Sequence, residues 1–119
     1  MLGDTITITV NAVAKVLSKI NQDAYSTEYL LRETTGLYRL KVRHSTDKPT
    51  AAGLKYDRHA VDFTYTIFAA GAVPEFYRRC YVTVVNTSTD DATLVGYIVT
   101  GLEAYLNAAN VTKVVNWES

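Results

Sequence analysis

The segment Leu37–His44 constrains this chain more than any other, because its residues alternate without a break. Tyr38, Leu40 and Val42 fall on one side, and Arg39, Lys41 and Arg43 on the other. Side chains in a strand point to opposite faces with period two, so this is a strand with an apolar face and a face of three cations. An ordinary half-buried strand has a mixed polar face. Three like charges in a row repel one another unless something anionic lies over them, which suggests a sheet used as a nucleic-acid-binding surface.

The same period recurs along the first two thirds of the chain. Asp4–Val10 alternates Thr with Ile or Val, all good strand formers. Asn11 supplies a turn into a weaker strand over Ala12–Ser18, and Lys19–Tyr25 reads as a loop. Ser26–Arg32 is a strand, although Tyr29-Leu30-Leu31 has helical propensity too. Thr34–Gly36 is a short turn that makes the next strand antiparallel. That strand runs to about Ser45, and Asp47–Gly53 is the loop after it.

Lys55–Ala69 then predicts a long strand, with His59, Val61, Phe63, Tyr65 and Ile67 on one face and Arg58, Ala60, Asp62, Thr64 and Thr66 on the other. Ala69–Pro74 is an uncharged loop of small residues. Glu75–Val85 alternates Phe76, Arg78, Cys80, Val82 and Val84 against Tyr77, Arg79, Tyr81 and Thr83.

Beyond Val85 the period changes. Thr87–Asp91 predicts a helix start, with hydroxyl caps followed by two carboxylates near the positive end of the dipole. Leu94, Val95, Ile98, Val99, Leu102, Tyr105 and Leu106 follow at helical spacing as a broad apolar stripe. Gly96 and Gly101 each cost a helix about 1 kcal/mol relative to Ala, which makes sense where another backbone approaches. Asn107–Asn110 breaks the helix, and Val111–Val115 predicts a short second one. Strands followed by helices give an α+β class, with helices on one face of an antiparallel sheet.

The 119 residues, 48% hydrophobic and 20% charged, predict one globular domain spanning 1–119. A sheet with one or two helices makes a thin core, which such domains often complete with a partner subunit. The zero net charge hides a split: residues 32–79 hold nine cations against five anions, while residues 80–119 hold one cation against four anions. The middle is basic and the end acidic. Cys80 is single, which excludes an intramolecular disulfide and makes a Cys-based metal site implausible. Neither a signal peptide nor a membrane helix is expected, which predicts a protein that is cytosolic where it is made.

Catalysis has little support. His44 and His59 fall on the apolar side of their strands, where a hydrogen-bonded structural histidine is the expectation. There is no nucleophile elbow, no metal-ligand spacing and no phosphate-cradling glycine loop. No cofactor, metal or small-molecule substrate is expected. The cationic face is different: Arg58 and Arg79 join Arg39, Lys41 and Arg43, with Tyr77, Tyr81 and Thr83 interleaved. Cations neutralise phosphates, tyrosines stack on splayed bases, and Thr64, Thr66 and Thr83 offer hydrogen bonds.

Over its whole length the chain resembles the coat protein of single-stranded RNA bacteriophages of the levivirus type. The resemblance rests on the basic second sheet strand Tyr38–Arg43, on the aromatic-basic entry Phe76–Tyr81, and on a capped helix carrying Thr100-Gly101-Leu102. It implies an N-terminal β-hairpin within residues 1–20, an antiparallel five-stranded sheet within 25–86, and two C-terminal helices within 88–116. One further short strand would lie at Ala69–Pro74 or be absent.

It also implies an intertwined homodimer in which Leu94, Val95, Ile98, Val99 and Leu102 pack on the partner, and an icosahedral shell whose inter-dimer loop includes Ala70, Gly71, Val73 and Pro74. The basic sheet would face a packaged single-stranded RNA genome and bind an RNA hairpin as a translational repressor. The positions that match the family's RNA-binding surface are Arg39, Lys41, Arg43, Thr64 and Tyr81, and the charged face itself adds Arg58, Arg79 and Thr83 to the expected RNA-binding set. Such a protein assembles in the cytoplasm of its bacterial host and ends in the virion, with no membrane partner. A non-assembling cytosolic RNA-binding module is the alternative.

Overall fold

The computed structural model describes residues 2–118, in two compact units that divide between residues 85 and 86. Six strands, β1 (Thr5–Val10), β2 (Val13–Gln22), β3 (Ser26–Arg32), β4 (Gly36–Thr46), β5 (Tyr56–Ile67) and β6 (Phe76–Thr87), form one sheet in the order β1-β2-β3-β4-β5-β6. Every pairing from β1 to β5 is antiparallel.

The expected five-stranded sheet with a separate hairpin is therefore corrected to six strands in one sheet. The reason lies in β2. It does not stop at Ser18 but runs to Gln22, pairs with β1 on one side and β3 on the other, and takes a register shift between Lys19 and Asn21. Most of the expected loop Lys19–Tyr25 is thus strand. Only residues 23–25 turn, held by the Asp23 carboxylate, which accepts from the backbone N–H groups of Tyr25 and Ser26 at 2.7 and 2.8 Å. Those bonds hold the Asp23 carboxyl below its usual range, the Tyr25 N–H contributing most. At Ala69–Pro74 a single bridge, Ala70 to Val73, stands where a further strand was allowed for.

The β1–β2 turn has Asn11 at φ 50° and Ala12 at φ 63°. Two positive-φ residues match the right-handed twist of a hairpin, and Asn tolerates that conformation, whereas Ala does not.

The core lies on the apolar face. Leu17 and Tyr29 are fully buried, and Tyr38 and Leu40 nearly so. Ile6, Ile8, Val10, Leu31, Phe63 and Tyr65 pack against these four. Val10 lines a hollow with Tyr38, Phe63 and Tyr65, so the β1–β2 hairpin curls over the face rather than lying flat beside it. The Tyr29 hydroxyl donates to the Gly3 carbonyl at 2.6 Å and ties down the start of the chain.

Tyr38 stacks on its cross-strand partner Tyr65 with ring centroids 4.2 Å apart. Lys15, also on this face, is accommodated because its ammonium donates to both Glu33 oxygens at 2.9 and 3.1 Å. Gly36 is required where β4 begins: a Cβ there would lie 2.6 Å from both the Thr66 carbonyl and the Tyr65 ring.

The second unit contains α1 (Ala92–Tyr105) and α2 (Ala108–Val115). The helix begins later than the sequence suggests. Thr87 still belongs to β6, and Asp91 is the cap, its carboxylate accepting from the Thr93 N–H at 2.8 Å. Asn107 ends the break between helices by capping α2 through the Asn110 N–H at 3.0 Å, so α2 takes in residues 108–110, which the sequence pattern assigns to the break. Neither helix has a buried residue, and Ile98 is 77% exposed.

Two substitutions test this account in thermal or denaturant unfolding. Ala12→Gly is expected to stabilise by about 1 kcal/mol, by relieving a left-handed Ala. Gly36→Ala is expected to destabilise by about 1–3 kcal/mol, since a fixed carbonyl cannot move aside. A neutral Gly36→Ala would contradict the close approach.

Candidate nucleic-acid interface

The register of β3, β4 and β5 places cations and acids on one face, rung by rung. Arg39 lies between Leu30 and Thr64, Lys41 between Glu28 and Asp62, and Arg43 between Ser26 and Ala60. Arg58 is opposite Ser45, near the far end of the pair. This is the face opposite the core, because the alternate rungs carry Tyr29, Leu40 and Phe63 or Leu31, Tyr38 and Tyr65.

β6 adds to this face through Arg79. Its Nε donates to Asp62 Oδ1 at 2.9 Å and an Nη donates to Oδ2 at 2.6 Å, a two-pronged pairing. The guanidinium also lies 5.0 Å from the centre of the Tyr81 ring. Arg79 holds the Asp62 carboxyl below its usual range, chiefly by its hydrogen bond; partial burial opposes the shift, and the charges of Arg79 and Arg43 reinforce it. Arg39 pairs with Glu28 at 2.9 Å, and Arg58 grips both Asp47 oxygens at 2.9 and 3.0 Å.

Around these groups is a hollow of about 280 Å³ lined by Arg39, Lys41, Asp62, Thr64, Thr66, Tyr77 and Arg79. A neighbouring one of about 160 Å³ is lined by Asn21, Ser26, Thr27, Glu28, Lys41 and Arg43. Of the eight residues expected to bind RNA, Arg39, Lys41, Thr64 and Arg79 line the first hollow and Arg43 the second. Tyr81 lies under Arg79. Arg58 is committed to Asp47, and Thr83, exposed two residues beyond Tyr81, lines neither hollow.

Glu28 was not foreseen as a member of this face. Its signal was present, since a short turn between β3 and β4 sets the register that puts Glu28 opposite Lys41. Of the expected dimer residues, Leu94, Ile98 and Leu102 are exposed and Val95 and Val99 half-buried. The loop residues Ala70, Gly71, Val73 and Pro74 are all exposed, with Gly71 at φ 57°. Among the described residues no group of three or more His, Cys, Asp or Glu is placed to hold a metal, and no helix is long and apolar enough to cross a membrane.

The extent of the sheet coincides with a known family. The family model for the coat protein of phage phiCb5 matches residues 3–87, from just before β1 to the end of β6. The chain belongs to this coat protein family. No curated protein matches it. The chain is accordingly a phage coat protein, a structural component of the virion capsid. The face built by β3–β6 is part of that matched region.

The Asp62–Arg79 pair makes a signed prediction. Asp62 ionises more readily folded than unfolded, so its contribution to stability is present above the ordinary carboxylate value of 3.8 and is lost as pH falls through the lower folded value. Asp62→Asn is expected to lower the urea midpoint at neutral pH, and the gap to wild type should narrow as the pH is taken below 3.8. A gap independent of pH would show that the ion pair is not its source.

Proposed function

We propose that this coat protein dimerises, assembles into an icosahedral shell and packages single-stranded RNA against the sheet face opposite the hydrophobic core, the face that lines the inside of the shell. The observation that carries the reading is the composition of the 280 Å³ hollow: three cations, Arg39, Lys41 and Arg79, against one carboxylate, with Tyr77, Thr64 and Thr66 beside them. The internal ion pairs of Arg39 and Arg79 orient two guanidinium groups, while Lys41 and Arg43 take no part in those pairs. A phosphate backbone is attracted by the surplus charge, and a base can stack on tyrosine while its edge bonds to threonine. Binding of a genomic hairpin, with translational repression, would use the same surface.

Dimerisation is supported by the helices. Leu94, Tyr97, Ile98, Leu102 and Tyr105 are all exposed, and a contiguous apolar surface on a 14-residue helix favours a partner. Gly96 and Gly101 have no described atom within 4 Å of where a Cβ would stand, which leaves room for a partner's backbone. The proposed occupant is a second copy of the chain, its sheet continuing the first edge to edge and its Phe63, Val82 and Val84 receiving the helix. The exposed loop around Gly71 would then meet neighbouring dimers, where a glycine at positive φ suits a tight two-residue turn.

Electron microscopy of the recombinant protein is expected to show closed particles of uniform size, and a small monodisperse dimer alone would overturn assembly. Changing Arg39, Lys41 and Arg43 together to Ala is expected to preserve the fold and lower the 260 to 280 nm absorbance ratio of purified particles. An unchanged ratio would remove this face from RNA packaging. Ile98→Asp is expected to abolish the dimer and leave insoluble protein, because a buried charge without a partner costs several kcal/mol. A soluble dimeric variant would exclude this helix from the interface.

A further inference from the structure

The rung beyond Val42 and Val61 on the core-side face is formed by two histidines, His44 and His59, directly opposite each other on β4 and β5. Their Nδ1 atoms are 2.8 Å apart, with the rings inclined at 66°. As the protein stands, one Nδ1–H donates to the other Nδ1. The pair lies where the face turns polar: the next rung is Thr46 opposite Asp57, joined by a 2.9 Å hydrogen bond from the Thr46 hydroxyl. His44 is exposed and His59 half-buried, so solvent reaches the pair.

We propose that His44 and His59 form a two-point chelate for a late divalent transition-metal ion, copper(II) or nickel(II), independent of the RNA-binding face. Imidazole nitrogens are good ligands for such ions, and two from adjacent strands bind as one chelate. The spacing also selects among metals. Nitrogens 2.8 Å apart, each about 2.0–2.1 Å from a shared ion, subtend close to 90° at it. A tetrahedral zinc site needs them about 3.3 Å apart, a wider separation than this rung gives. An angle near 90° is the cis arrangement of square-planar copper or octahedral nickel.

On binding, the bridging proton is exchanged through solvent from Nδ1 to Nε2 of the same ring, so both imidazoles stay neutral while both Nδ1 lone pairs turn to the ion. Water fills the remaining positions. Asp57 lies one rung along on the same face, about 7 Å away in strand repeat, too far for a direct ligand at its present position.

The test uses the full chain carrying Cys80→Ser, which removes an exposed thiol that copper would oxidise. Nickel(II) chloride titrated by calorimetry, and copper(II) chloride followed by electron paramagnetic resonance, are expected to show one ion per chain, with nitrogen hyperfine splitting in the copper spectrum. His44→Ala and His59→Ala should each weaken binding roughly tenfold or more, because one imidazole then replaces a chelate. The double variant, with no imidazole left, should bind more weakly than either single one. Circular dichroism of the variants checks that the sheet is intact, and His44→Gln with His59→Gln serves if the alanines disturb it. Singles that bind as tightly as the parent, or zinc(II) bound more tightly than copper(II), would overturn the proposal. RNA content is unaffected by these variants, so failure here is distinct from failure of the RNA reading.

Discussion

The pairing of β4 with β5 is the constraint from which the rest of the molecule follows. It runs from Gly36 opposite Ile67 to Thr46 opposite Asp57 without a shift. Because side chains alternate with period two, a slip of one residue would send Tyr38 and Leu40 into solvent and bring Arg39 and Lys41 onto the core. The stack of Tyr38 on Tyr65 and the close fit of Gly36 against Thr66 and Tyr65 fix the register at one end. The histidine rung and the Thr46–Asp57 bond hold the other. One long register thus builds both the core and the charged face.

The charged face is not a simple field of cations. Glu28 and Asp62 stand on either side of Lys41, and each also holds an arginine in place. Repulsion between Arg39, Lys41 and Arg43 is offset within the protein by these two carboxylates. What remains is a net positive surface with oriented guanidinium groups, suited to recognising shape as well as attracting charge. On the core side, Lys15 follows the same logic: its ion pair with Glu33 lets a cation sit on an apolar face.

The two helices stand apart in energetic character. They are well capped by Asp91 and Asn107, yet no residue on either is buried. Local signals therefore suffice to start and stop them, while Leu94, Ile98 and Leu102 stay exposed. The coat-protein family match ends with the sheet at residue 87.

Much was legible in the sequence: the strand periods, both faces of β4, β5 and β6 with Tyr38 and Tyr65 on the apolar side, the turn at Asn11 and the existence of two C-terminal helices. These are local properties, set by alternation, capping and turn chemistry among near neighbours. The tertiary structure decided what depends on distant partners. It extended β2 because β3 offers a second edge to pair with, and so joined hairpin and sheet into six strands. It curled β1 over the core, seated Glu28 and Asp62 among the cations, and separated Arg58 and Thr83 from the hollow. It also brought His44 and His59, fifteen residues apart, to 2.8 Å. A sequence shows which face a side chain takes, but only the register between strands decides which side chain it meets.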